Sequence, residues 1–422
     1  MKIVKIIILA ILILVLPGAS FKYPYDGYDL TGIKRLLRLQ LIMNGTIKDK
    51  MPFPGAQKSI NDIHLMLMNE KGDSLETFPQ PDPSLQKAIN ALFPNMDESY
   101  ALCVIDISPG KALRYASRQP NRSFMPGSVA KLAVVAGLFN EMEKLYPHSF
   151  AQRQMLLKNR MVRAGKWANF DEHTVPFFDP VSQKFHKAVV RETDTCSLYE
   201  WVDHAISVSN NAAASIVWKE AILMYAFGYD YPPSPEKEAA FFKDMPKASL
   251  KDMAMAVVNE PLRKIGITKE EFHLGSMFTR DAKVIVPGEG GTRATPLGLM
   301  KYLVAMERGK IVDPESSLEI KRLMYATDRR IRYAASTALD SAAVYFKSGS
   351  LYKCKAEEGY ECIKYQGNVE NNMNSVVVVE QPDGTVYIVT LMSNVLRKNS
   401  ANDHFALASQ IDKIFRKSDV SN

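Results

Sequence analysis

The sequence predicts an α+β protein in which an antiparallel sheet is flanked by helices and joined to an all-helical lobe. Three observations carry this reading. Two strand-like segments near residue 100 are joined by Pro109-Gly110, a turn pair. Three more lie near the C-terminus, the last two joined by Pro382-Asp383-Gly384. The sequence between the two groups is mainly helical in its apolar spacing. Early and late strands then meet in one sheet, with the intervening helices packed against it.

At 422 residues the chain can build a large core with two lobes. Residues 1–20 read as a signal peptide: Lys2 and Lys5, an apolar run over Ile6–Leu16, then Pro17-Gly-Ala-Ser20. The expected compartment is a periplasm or the cell exterior, and an uncleaved segment would anchor the chain to a membrane. Residues 21–97 form an extension of no assigned role, with an amphipathic helix expected over Leu30–Met43. Its apolar face is Leu36, Leu37, Leu39 and Ile42, and its polar face is Lys34, Arg35 and Arg38.

The main domain is placed at 98–417, with 418–422 as a tail. Tyr100–Asp106 and Ala112–Ala116 are the first hairpin. An almost wholly apolar helix follows Ser128. Helices are expected within Arg191–Ser209, over Asn210–Tyr225, Met253–Ile265 and Pro296–Met306, with an irregular segment at Arg280–Thr295. Ala342–Lys347, Asn374–Glu380 and Thr385–Met392 are the late strands, and Ala401–Arg416 is a closing helix.

Charge and cysteine content exclude some functions. The formal charge of +7 is spread thinly, which argues against a nucleic-acid partner. Cys354 and Cys362 flank a loop-like segment that a disulfide could staple, whereas Cys103 falls in an apolar strand. No metal-ligand spacing occurs among the seven histidines, so neither a metal nor another cofactor is expected.

The chemistry centres on Ser128-Val-Ala-Lys131. Residues three apart share a helix face, so the lysine amine can reach the serine hydroxyl. Lys131 sits among Val129, Leu132 and Ala133, and desolvation favours a neutral amine. Such an amine can activate a serine nucleophile. Ser-x-x-Lys is weak alone: it starts at Ser84, Ser108, Ser128, Ser234 and Ser350. Order selects Ser128. Ser209-Asn210-Asn211 follows in a turn between helices, and Lys347-Ser348-Gly349-Ser350 follows at a strand end.

Ser-x-x-Lys, Ser-x-Asn and Lys-[Ser/Thr]-Gly in that order resemble the penicillin-recognising serine enzymes. The hairpin before Ser128, Asn211-Ala-Ala-Ala and Pro287-Gly … Thr292-Arg-Ala-Thr-Pro296 resemble class A β-lactamases in particular. The likeness spans roughly Tyr100–Lys417. It implies a β-lactamase/transpeptidase-like fold. Ser128 would be the nucleophile, Lys131 its base and Ser209 a proton relay to the leaving nitrogen. Asn211 would hold Lys131 and the substrate amide. Lys347 and Ser348 would bind a substrate carboxylate, and the Ser128 and Ser350 N–H groups would form the oxyanion hole. Gly349 completes the strand motif. The implied substrate is a β-lactam or a D-alanyl peptide of the cell wall.

One departure matters. Class A β-lactamases place a water-activating glutamate eight residues before a Pro-Gly. Counting back from Pro287 gives Thr279, with Asp281 two places on and Glu270, Glu271 and Glu289 further away. Without that glutamate, acylation survives and deacylation slows, which suits a D-alanyl peptidase or slowly deacylating binder. A serine glutaminase of this fold and a non-catalytic peptidoglycan-binding module are the rival readings. The absence of Gly-x-Ser-x-Gly argues against an α/β-hydrolase.

Overall fold

The computed structural model describes residues 24–328 and 330–417. The apolar run of the expected signal peptide and the 418–422 tail lie outside them. Among the described residues, no helix is long and apolar enough to cross a membrane.

Five strands form the main sheet: β1 (Ala101–Asp106), β2 (Arg114–Arg118), β3 (Ala343–Lys353), β4 (Glu370–Glu380) and β5 (Val386–Asn394). Their order is β2-β1-β5-β4-β3, so the two early strands join the three late ones. Every pairing is antiparallel. The expected α+β architecture is therefore the observed one. The period-two alternation of strand side chains divides the interior in two. Cys103 and Ile105 of β1, Val376 and Val378 of β4, and Ile388 of β5 face the large core with the helical lobe. Leu102, Val104, Val377, Val379 and Val389 face a smaller core under the C-terminal helix, Ala401–Lys417.

The helix Lys131–Leu145 runs through the large core and is buried over most of its length. Gly137 lets it approach the helix Lys247–Lys264, because a Cβ there would lie 2.7 Å from the Val257 carbonyl oxygen.

Several boundaries differ from the sequence expectation. β2 begins at Arg114, because Ala112 and Leu113, after the turn at Pro109-Gly110, lie outside the strand. β3 continues through the Lys-Ser-Gly-Ser motif to Lys353, because its second half keeps pairing with β4, Ser348 opposite Ser375 and Ser350 opposite Met373. Within the segment expected to be irregular, Arg280–Ile285 is a short helix. Pro314–Tyr325 is a further helix, capped by the Asp313 side chain on the Ser316 N–H, with Pro314 at its first position. A hairpin of Thr174–Phe178 and Phe185–Val189 was also unexpected. Its second strand is largely exposed and so has no apolar alternation to read. Cys354 and Cys362 are joined in a disulfide, while Cys103 and Cys196 are buried thiols.

The extension packs closely on the main domain. The helix Lys34–Met43 buries Leu36 and Ile42, but it also buries Arg35, assigned above to the polar face. Arg35 is turned inward by Asp203: its Nε and one terminal nitrogen each donate to a carboxylate oxygen at 2.5 Å, and it also donates to the Ala326 carbonyl at 2.6 Å. Asp203 lies on Leu198–Ile206, the helix leading into the Ser209 turn. A second anchor centres on fully buried Lys321, which bonds the His64 carbonyl and both Glu307 and Glu380.

Breaking a buried charge pair from one side strands the other charge, typically at a cost of about 3–5 kcal/mol. Arg35→Ala should lower stability by about that amount in chemical denaturation. Replacing both partners with apolar residues, as in Arg35→Met with Asp203→Leu, should cost less than the single change.

Candidate active site

Pro126 and Gly127 end the incoming chain, and a 3-10 turn over Gly127–Ala130 opens into the helix that begins at Lys131. This brings Lys131 Nζ to 2.8 Å from Ser128 Oγ. The other Ser-x-x-Lys serines are held differently. Ser84 and Ser108 bond to Asp82 and Asp106, both at 2.6 Å. Ser234 caps the helix Pro235–Asp244, and Ser350 lies on β3.

Lys131 also donates to the Ser209 carbonyl at 2.7 Å and to Asn211 Oδ1 at 2.8 Å. Burial lowers its pKa to about 7, partly opposed by the negative charge of Asp171. Much of its population is therefore neutral near neutrality, with two N–H donors and one lone pair. The two amide oxygens can only accept, so they take both donors. The lone pair is left for the Ser128 hydroxyl. The Phe278 ring, whose centre lies 5.1 Å from Nζ, covers the amine and keeps water away.

Ser209 sits between the helices Leu198–Ile206 and Asn211–Phe227. Its φ of +65° is in the left-handed region, a strained choice for a residue with a side chain. In this turn its carbonyl accepts from Lys131, while its hydroxyl lies 2.7 Å from Lys347 Nζ. Asn210 caps the following helix through the Ala213 N–H, which frees Asn211 for Lys131. Lys347 also donates to the Ser348 carbonyl at 2.9 Å. Its pKa is held well below the lysine range, first by burial and then by the charges of Lys131 and Arg332.

β3 is the edge of the sheet, and the Ser128 turn packs against it. A Cβ on Gly349 would lie 2.0 Å from the Pro126 carbonyl oxygen and 3.0 Å from the Ser128 nitrogen. Glycine is therefore required for the two segments to approach this closely. Ser128, Lys131, Ser209, Asn211, Lys347, Ser348, Gly349 and Ser350 thus converge at one place. Two hollows meet there, of about 530 and 790 Å³, and Ser128, Ser350 and His173 line both.

Three residues of the site had gone unnoticed in the sequence. Arg332 bonds the Gly349 carbonyl at 2.8 Å and Ser350 Oγ at 3.0 Å, adding positive charge beside Lys347. Asp171 accepts from the Asn211 and Ala212 N–H groups at 2.7 and 2.9 Å, and His173 Nδ1 lies 2.6 Å from it. Burial tends to raise the Asp171 pKa, but hydrogen bonds from the His173 ring and from the Ala212 and His173 backbone N–H groups leave it lowered. None of the three lies in a spaced motif: Asp171 and His173 come from a loop and Arg332 from the short 3-10 helix Arg332–Ala335.

Thr279, at the counted glutamate position, is buried and turned away, with its hydroxyl on the Trp167 carbonyl and Ser215. Asp281 accepts from Asn169 at 2.8 Å, Glu271 pairs with Lys301, and Glu289 pairs with His273 and Lys269. Among the described residues, no cluster of three or more His, Cys, Asp and Glu side chains could hold a metal ion.

Residues 253–415 match the model of a family described as "Beta-lactamase enzyme family". No curated protein matches the chain. Among solved structures the chain is similar to PBP-A, at 12% identity and a TM-score of 0.51, over 82% of this chain and all of that one. A variant of PBP-A in an acyl-enzyme complex with penicillin G aligns at 13% identity and a TM-score of 0.50, over 81% of this chain and 100% of that chain. A class A β-lactamase representative from Bacteroides cellulosilyticus aligns at 16% identity and a TM-score of 0.50, over 82% of this chain and 100% of that chain. At these identities the likeness is one of fold. The chain thus shares the fold of PBP-A and of a class A β-lactamase, and residues 253–415 match the β-lactamase enzyme family model.

Proposed function

We propose that the chain is an exported active-site serine hydrolase that forms an acyl-enzyme with an amide substrate, either a β-lactam or a D-alanyl peptide of peptidoglycan. The observation that carries this reading is the Lys131 amine, desolvated and held 2.8 Å from Ser128 Oγ with its donors occupied elsewhere. As Ser128 attacks the carbonyl carbon, Lys131 takes the hydroxyl proton. The Ser128 and Ser350 N–H groups stabilise the oxyanion. The proton passes through Ser209 to the leaving nitrogen, and Lys347 lowers the cost of a negative charge on that relay. Arg332 gives this end of the cleft a positive charge, and the Lys347 amine and Ser348 add hydrogen-bond donors, an arrangement matched to a substrate carboxylate. Export rests on the N-terminal sequence alone: two lysines, an apolar run and small residues.

A second reading has a specific observation in its favour. Thr279 stands where the water-activating glutamate is expected, which favours a D-alanyl peptidase or a β-lactam binder that deacylates slowly over an efficient β-lactamase. A PBP-A variant, on the same fold, forms an acyl-enzyme complex with penicillin G.

Fluorescent penicillin should label the wild-type protein covalently, and Ser128→Ala should abolish the label. An unlabelled wild type would refute the acyl-enzyme reading. Lys131→Ala should slow labelling by about 10²–10⁴, the usual worth of a positioned base. The reactive amine is the neutral form, whose fraction grows as pH rises through its pKa of about 7. The acylation rate should therefore rise about tenfold per pH unit below about 7 and level off above it. A rate still climbing toward pH 10 would mean that Lys131 is not desolvated as described.

A further inference from the structure

We propose that His173, oriented by Asp171, is the general base that activates water to hydrolyse the Ser128 acyl-enzyme. This assignment rests on the acyl-enzyme reading above.

Four observations support it. First, His173 lines both hollows together with Ser128, and its side chain is partly open to solvent. Second, Nδ1 is 2.6 Å from Asp171 Oδ1. A carboxylate in that position selects the tautomer with the proton on Nδ1 and leaves the Nε2 lone pair free. Asp171 is itself fixed: Oδ2 accepts the Asn211 and Ala212 N–H groups, and Oδ1 also accepts the His173 N–H at 3.1 Å. Third, the loop is tied to the turn that presents Ser209 and Asn211, because Asn210 Nδ2 donates to the His173 carbonyl at 2.8 Å. The hairpin that follows is braced by an ion pair between Lys187 and Asp328 at 2.9 Å. Fourth, carboxylates close in sequence to the expected glutamate are committed elsewhere: Asp281 to Asn169, Glu271 to Lys301, and Glu289 to His273 and Lys269.

The step balances with water as the only co-reactant. Nε2 of His173 takes one proton from a water molecule as the water oxygen bonds to the acyl carbon. The tetrahedral intermediate collapses by breaking the bond between that carbon and Ser128 Oγ. The imidazolium returns its proton to Ser128 Oγ, giving the free serine and a carboxylic acid, which ionises in solvent. Asp171 touches neither water nor the acyl group. It is a positioning residue that holds the ring and offsets the imidazolium charge.

The test separates acylation from deacylation. Full-length wild type, His173→Ala and His173→Phe are labelled with fluorescent penicillin, unbound label is removed, and the loss of bound label is followed. Both variants should still take up label and should then lose it about 100-fold more slowly than wild type, within the usual range for a general base. The phenylalanine variant keeps a ring in place, so a merely steric or stacking role would leave its deacylation fast. Added imidazole should restore part of the rate in His173→Ala but not in His173→Phe, where no space is opened. Deacylation as fast as wild type in both variants would overturn the assignment while leaving the acyl-enzyme intact. A wild type that never labels would overturn the acyl-enzyme reading itself.

Discussion

The site depends on the desolvation of one amine. Lys131 lies in the first turn of a helix that runs through the centre of the larger core, so its stem and head leave water together. Burial penalises its charged form, and among the described residues no carboxylate bonds directly to Nζ to reverse that penalty; Asp171 acts only at a distance. Neutrality alone would not make it a base for Ser128. Direction comes from the Ser209 carbonyl and Asn211 Oδ1, which take the two N–H donors and aim the lone pair at the hydroxyl. The Ser209 backbone is held in a left-handed conformation, strained for a residue with a side chain, and its carbonyl is one of these two acceptors.

The rest of the fold serves this arrangement. β3 is an edge strand, and glycine at positions 127 and 349 allows the nucleophile turn to press against it. The extension supports the site indirectly. Arg35, through Asp203, fastens the helix that delivers Ser209. The Arg332 guanidinium and the buried Lys347 amine lie beside β3, while the Asp171–His173 pair bonds to Asn211. The cleft therefore carries a cationic group suited to a carboxylate and, lining the same hollow, a group suited to proton transfer.

Much of this arrangement was legible in the sequence because it is locally encoded. Ser128 and Lys131 are one helical turn apart, Ser209 and Asn211 share a turn, and Lys347–Ser350 share a strand, so short patterns report real proximity. The sheet could be read from its turn residues and apolar alternation. What escaped was encoded at a distance. Arg35 reads as a surface residue on its own helix, and only Asp203, 168 positions later, draws it inward. Asp171 contacts a backbone 40 residues away, and Arg332 bonds to main-chain and side-chain atoms of β3. Backbone groups are the same at every residue, so the pairing leaves no side-chain pattern to find. The helix Pro314–Tyr325 did carry a readable signal in Asp313-Pro314, an N-cap followed by the first helical position.

The central claim is tested most directly by titrating Lys131 itself. In protein carrying ¹⁵N-labelled lysine side chains, assigned with Lys131→Arg, the Lys131 Nζ resonance is followed by NMR across pH. The account predicts a midpoint near 7, with the amine largely neutral at pH 8. A midpoint close to the ordinary lysine value of 10.5 would show that Lys131 remains an ammonium ion, and the base assigned to Ser128 would have to be sought elsewhere.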